Sequence, residues 1–250
     1  MKVASGVEML EITANILGEQ STIHPTLIWD ENEVILIDTG YPGQLPLFRA
    51  EIEKAGVPFD SLDKVILTHQ DIDHIGSLPG ILAESSHKIE VLASEIEKPY
   101  IQGEKRLIKL SPEALAKIDE LIPPHVPDEW RKAFKAILEN PPASPVDRTV
   151  ADGEDLPFCG GIVGIDTPGH TPGHISLYHK QSKTLIAGDA LGIVDGQLIG
   201  PEPQYTLDMA AARKSLKKLM EYDIQSIICY HGGLYNKNAN QRIAELAQSI

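Results

Sequence analysis

Lys64-Val65-Ile66-Leu67-Thr68 runs directly into His69-Gln70-Asp71-Ile72-Asp73-His74. The first five residues are apolar and β-branched in the main, the composition of a short buried strand. The six that follow carry two imidazoles and two carboxylates in H-x-D-x-D-H order. Alternate side chains of an extended segment point the same way. His69, Asp71 and Asp73 are therefore expected to converge, with His74 turning in as a helix starts. Ligand-type side chains crowded at the end of a buried strand are expected to hold a metal ion rather than decorate a solvated loop.

Working upstream, Val7–Ile12 and Thr22–Trp29 are strand-like, and Glu33–Ile37 ends in the turn Asp38-Thr39-Gly40. Leu45, Phe48 and Ile52 mark a helix over Gln44–Ala55, which Gly56 stops. Downstream, a helix is expected over Ile75–Ala83 and a strand over Lys88–Ala93. From Glu95 to Val150 the character changes. Leu115, Ile118 and Ile122 would share one helical face, and Trp130, Phe134, Ile137 and Leu138 another. Six prolines between Pro123 and Pro145 make the joining loops stiff. Residues 95–150 are expected to be a helical insertion over the active site, within a single domain spanning 1–250.

The second half again reads as strands followed by helices: strands over Asp155–Asp166, His174–His179, Thr184–Ala187 and Gln225–Tyr230. Helices follow over Asp208–Tyr222, with Asp208 as N-cap, and Ala239–Gln248. Strands and then helices, twice over, suit two sheets packed face to face with helices outside.

Three of these strands end in further ligand types. Thr167-Pro168-Gly169-His170-Thr171-Pro172-Gly173-His174 is a tight loop that could aim an imidazole. Within it His170 is favoured as a ligand, while His174 opens the next strand and is expected to be held by packing or to orient another group. Ala187-Gly188-Asp189-Ala190 places a carboxylate at a strand end, where it could serve two cations. Tyr230-His231-Gly232-Gly233 adds a last histidine. Each alone is weak evidence. Four strand ends bearing His or Asp point together to a shared metal site.

Composition narrows the partners. The 250 residues suit one large α/β domain, and 42% hydrophobic content is ample for a core. No apolar run approaches the roughly 20 residues of a spanning helix. Met1-Lys2-Val3-Ala4-Ser5-Gly6 lacks the apolar stretch of a signal peptide, so a cytoplasmic location is expected, with no membrane partner. The two cysteines, Cys159 and Cys229, exclude a disulfide framework and suit buried thiols. A formal charge of −14 argues against nucleic acid, though bound metal would reverse the field locally.

In order and spacing, H-x-D-x-D-H, T-P-G-H-T-P-G-H, A-G-D and H-G-G resemble the metallo-β-lactamase superfamily, with Asp38-Thr39-Gly40 as its early I-D-T-G turn. The resemblance covers essentially the whole chain. It implies an α/β fold, an αββα sandwich with the metals on one edge. It implies two divalent ions, with His69, Asp71 and His170 on the first. Asp73, His74 and His231 would hold the second, and Asp189 would bridge both. Zinc is implied by the family. Asp71, however, stands where a histidine is usual, and related diiron oxygen-reducing members carry a glutamate there, so iron or manganese is also to be considered. The β-lactamases proper lack a ligand like His74 and often use a cysteine near the bridging position, so antibiotic hydrolysis is not expected. The chain ends soon after His231 with no flavodoxin domain, which counts against an oxygen reductase.

The function that follows is hydrolysis of a small-molecule lactone, ester or thioester by a hydroxide bridging ions roughly 3.5–4 Å apart. Asp73 would orient that nucleophile. Phosphodiester or phosphonate hydrolysis is the alternative on the same metals, and would call for extra Lys or Arg in the pocket. Lys105, Arg106, Lys109, Arg131 and Lys132 are the insertion's candidates, expected on solvated helix faces. A metal-dependent sensor without turnover is a third reading. Tyr205 carries no assignment.

Overall fold

The computed structural model describes residues 1–249; Ile250, the last residue of the span expected to form one domain, lies outside them. Two β-sheets carry the chain. The first runs, in spatial order, Lys2–Ala4, Val7–Met9, Thr26–Trp29, Val34–Ile37, Lys64–Ile66, Glu90–Ser94 and Arg148–Val150. Its first four strands pair antiparallel, and the next three join in parallel. Parallel neighbours need crossovers, and the helices Leu45–Lys54, Ile72–Ile75 and Leu78–Glu84 lie in the first two of them. The second sheet is Asp155–Leu156, Ile162–Asp166, Ile175–His179, Thr184–Gly188, Ser226–Cys229 and Gly233–Tyr235. Its one parallel pair joins Thr184–Gly188 to Ser226–Cys229.

The layers follow from strand alternation. Ile35, Ile37, Ile66 and Leu92 meet Ile162, Ile175, Leu177, Ile186 and Ile228 between the sheets. Leu36, Val65 and Val91 face the other way, onto Phe48, Ile52 and Ile81 of the covering helices. On the far side, Leu185 and Ile227 pack against Leu216, Leu219, Ile243 and Leu246 from the helices Met209–Leu219 and Ala239–Ser249. All four residues of Val34–Ile37 are buried, as a strand covered on both faces requires. The architecture is the αββα sandwich. Asp208 caps its helix by accepting from the Ala211 N–H at 2.9 Å.

Several element boundaries differ from expectation. The helix expected from Ile75 begins at Ile72, pauses after Ile75 and resumes at Leu78. Asp73 therefore lies in a helical turn and not in an extended run with His69 and Asp71. Gly76 is wedged there against Tyr41 and Pro42, and Pro79 can only open a new helix. The face expected through Leu115, Ile118 and Ile122 is split into Pro112–Ala116 and Ile118–Leu121. Ile122, before Pro123, is extended (ψ 122°), as a residue preceding proline should be. In the helix Asp128–Glu139 only Leu138 is buried, and Trp130 is 50% exposed. Two hairpins were not anticipated: Ile12–Ile16 with Glu19–Ile23, and Gly192–Val194 with Gln197–Ile199. The second turns on Asp195-Gly196, both with positive φ, the dipeptide that favours a two-residue hairpin turn. Among the described residues no helix is long and apolar enough to cross a membrane.

Candidate metal centre

The site lies where the ends of both sheets meet. From the first sheet, Val34–Ile37 delivers Asp38, which is 1% exposed and holds φ at 63°. Its carboxylate accepts from the Thr68 N–H and Thr68 Oγ1, both at 2.8 Å, and from His74 Nδ1 at 2.9 Å. The Thr68 hydroxyl, having given its hydrogen to Asp38, can only accept from His69 Nδ1, 3.0 Å away. Both imidazoles thus turn Nε2 into the site. Neither His69 Nε2 nor His74 Nε2 has a hydrogen-bond partner, and both residues are fully buried.

The second sheet supplies the other side. Asp189, after Thr184–Gly188, places its carboxylate among four imidazoles. It lies 3.4 Å from His74 Nε2, 3.3 Å from His170, 3.6 Å from His231 and 3.9 Å from His69. Asp73 reaches His231 Nε2 at 3.3 Å. Two sets of donors result, His69/His170/Asp189 and Asp73/His74/His231, with the atoms of each within 4.8 Å of one another. Donors around one ion at roughly 2.0–2.1 Å stand roughly 3.3–3.5 Å apart, close to the separations seen here. Buried, unpartnered Nε2 and carboxylate atoms facing one another are the chemistry a divalent ion satisfies. The residues fit metal.

His174 is brought to the site but is otherwise engaged. Its Nε2 accepts from the Asp189 N–H at 2.9 Å, and its Nδ1 meets Thr167 Oγ1 at 2.8 Å. Burial, reinforced by His69 and His170, holds it well below the usual histidine range, in the neutral form an acceptor needs. Gly188 permits this: a Cβ there would stand 2.6 Å from His174 Nε2.

Charge in the pocket is dominated by carboxylates. Burial alone would raise the Asp71 and Asp189 carboxyls, but the neighbouring histidines outweigh it and hold both well below the ordinary range. Burial likewise opposes protonation of His231, yet Asp189 and Asp73 bring it up to about 10.

Asp71 belongs to neither three-membered set, but its Oδ2 lies 2.9 Å from His170 Nε2 and 3.3 Å from His69 Nε2. It is also the partner of Lys109 Nζ at 2.6 Å, and that ammonium meets His170 Nε2 at 2.7 Å. Lys109 is thus a correction to the expectation of solvated bases, whereas Lys105 and Arg106 are exposed. Sequence reasoning also missed Gln70 and Glu97, which are 1% and 0% exposed. Glu97 Oε2 accepts from Gln70 N and Nε2, and its Oε1 from Thr171 Oγ1 and Gly173 N. Gln70 Oε1 in turn accepts from the Ile108 N–H at 2.7 Å, beside Lys109. A glutamine inside the ligand hexapeptide was the one available signal.

The centre opens into a cavity of about 630 Å³. Leu191, Ile193, Val194, Ile199 and Pro201 give it an apolar wall, with Tyr41 and Tyr205 at its sides and, among the described residues, Lys109 as the one Lys or Arg lining it.

The chain is similar to known proteins along most of its length. A family profile described as the metallo-beta-lactamase superfamily matches residues 21–231. The probable metallo-hydrolase YflN of Bacillus subtilis is 29% identical, over 100% of this chain and 92% of its own. A hydroxyacylglutathione hydrolase of Bartonella henselae is 33% identical over 49% of this chain and 52% of its own. Among solved structures, a metallo-beta-lactamase family protein of Thermus thermophilus, TTHA1429, superposes with a TM-score of 0.72 at 23% identity, over 99% of this chain and 80% of its own.

Proposed function

The chain belongs to the metallo-beta-lactamase superfamily, and from that premise we propose that it is a dinuclear metal-dependent hydrolase of a small lactone, ester or thioester. His69, Asp71 and His170 would hold one ion, Asp73, His74 and His231 the other, with Asp189 shared. Two divalent ions bound there would supply Lewis acidity and a water acidic enough to be a nucleophile near neutral pH. The chain's own residues do the rest. Asp38 and Thr68 fix the tautomers of His74 and His69, so that their lone pairs face the site. His174 sets the backbone of Asp189. Asp73, 16% exposed at the pocket floor, would accept the proton of the attacking water and aim it.

The observation that favours an acyl substrate is the pocket. Its wall is apolar, and among the described residues Lys109 is the single Lys or Arg that lines it. A phosphodiester or phosphonate would call for free cationic side chains. Zinc follows from the family and iron or manganese from Asp71, since carboxylate oxygen suits the harder ions.

The test is a turnover screen on protein of measured metal content, with a lactone, a thioester and an aryl phosphodiester, before and after chelation. Acyl hydrolysis that is lost with the metal and restored by it is expected. Faster phosphodiester turnover would overturn the substrate class. No turnover by fully loaded protein would favour a binding or sensing role instead.

A further inference from the structure

Lys109 stands against the donors of one metal position and not the other. A lysine ammonium has donors only, so at 2.7 Å it can only donate to His170 Nε2, and Asp71 Oδ2, 2.9 Å from the same nitrogen, is then bridged to it through that ammonium. That nitrogen has one in-plane lone pair, and it is the pair an ion would need. The same ammonium sits 2.6 Å from Asp71 Oδ2, the carboxylate beside that position. At the other position, His74 Nε2 has no hydrogen-bond partner. Among the described residues, no lysine or arginine is paired with Asp73 or Asp189.

Building on the metal-centre reading above, we propose that Lys109 is an internal cation that competes with metal for the His69/His170 position. The two positions then fill in order, Asp73/His74/His231 first.

The backbone around Lys109 is built to present it. Leu107 is 3% exposed in the core beneath, and the Ile108 N–H is held by Gln70. Gln70 is itself fixed by buried Glu97. The side chain keeps a way out, because it is 29% exposed and borders the open cavity. It can yield its place without unfolding the loop. Until it does, its charge offsets that of Asp71, the carboxylate this chain carries where a histidine is usual.

The competition is measurable without substrate. Metal-free full-length protein would be titrated with zinc alone, with bound ions counted by equilibrium dialysis and elemental analysis. Wild type should take one ion tightly and a second weakly. In Lys109→Met the second affinity should rise roughly tenfold or more, the worth of one charge-assisted hydrogen bond, while the first is unchanged. Lys109→Gln should behave like Lys109→Met, and Lys109→Arg, which keeps the charge, like wild type. Circular dichroism would confirm that each variant is folded. Equal stepwise affinities in wild type and both neutral variants would overturn the competition but leave the metal centre standing. Failure of every protein to bind zinc would overturn both.

Discussion

Glu97 lies outside the ligand set, yet its replacement should disturb one metal position and spare the other. Its carboxylate is fully buried and accepts four hydrogen bonds, from Gln70 N, Gln70 Nε2, Thr171 Oγ1 and Gly173 N, at 2.8–3.0 Å. Glu97→Ala strands all four donors. At about 1 kcal/mol for each buried group left unmet, the loss is about 4 kcal/mol, or a melting temperature lower by roughly 8–16 °C for a domain of this size. Glu97→Gln keeps one acceptor oxygen and turns its amide donors toward the other pair, so about half that loss is expected. The stranded groups flank His69 and Asp71 on one side and His170 on the other. Zinc affinity should therefore fall at the position those residues form, and hold at Asp73/His74/His231. Thermal denaturation followed by circular dichroism, with zinc titration of each variant, measures both effects. A Glu97→Gln protein as stable as wild type would refute the view that this carboxylate joins the two ligand loops.

Asp189→Ala should lose most of the second ion and nearly all turnover, because its carboxylate lies within 4 Å of four imidazoles; two ions retained by elemental analysis would contradict a shared role. Asp71→His, purified beside wild type from one medium supplemented with iron, manganese and zinc, should shift the bound metal toward zinc, since it replaces a carboxylate by an imidazole. An identical metal ratio in both proteins would make Asp71 a mere substitute ligand. Away from the centre, burial is the main cause lowering His179 below 6.5, against the hydrogen bond to the Cys159 carbonyl. The unfolded chain then takes up a proton that the folded one refuses, so stability present above about pH 6.5 should fall as the pH drops below it. Urea midpoints between about pH 7.5 and 5 should show that slope, and His179→Gln should flatten it.

The candidate ligands were legible because each follows a buried strand and sits beside glycine or another ligand, a purely local signature. His174 shows where local reading stops: as far as sequence goes it duplicates His170, and only the Asp189 N–H tells them apart. Lys109 was illegible for a different reason. Nothing in sequence separates it from Lys105, Arg106, Arg131 and Lys132, and it turns toward the site because the Ile108 N–H meets Gln70, 38 positions away. The hairpin Gly192–Ile199, which forms much of the apolar wall, went unread although Asp195-Gly196 is a turn dipeptide, because its strands are only three residues each. The break between Ile72–Ile75 and Leu78–Glu84 depends on how Gly76 packs against Tyr41 and Pro42, a tertiary contact no periodicity could carry.

Each of the two donor sets draws on both sheets. His69 faces His170 and Asp189, and Asp73 and His74 face His231. Neither half of the chain can assemble a complete set while the other is absent, and the partners that face each other across the halves are about a hundred residues or more apart. An ion captured here acts as a rivet between two halves already brought together. The choice of metal would accordingly fall to the finished cage and whatever ions surround it, rather than to the chain as it emerges. Stripping the ions should loosen the seam between the halves before it melts either one. Limited proteolysis of chelated protein would then release pieces divided near residues 151–154, the turn where the chain passes from one sheet to the other.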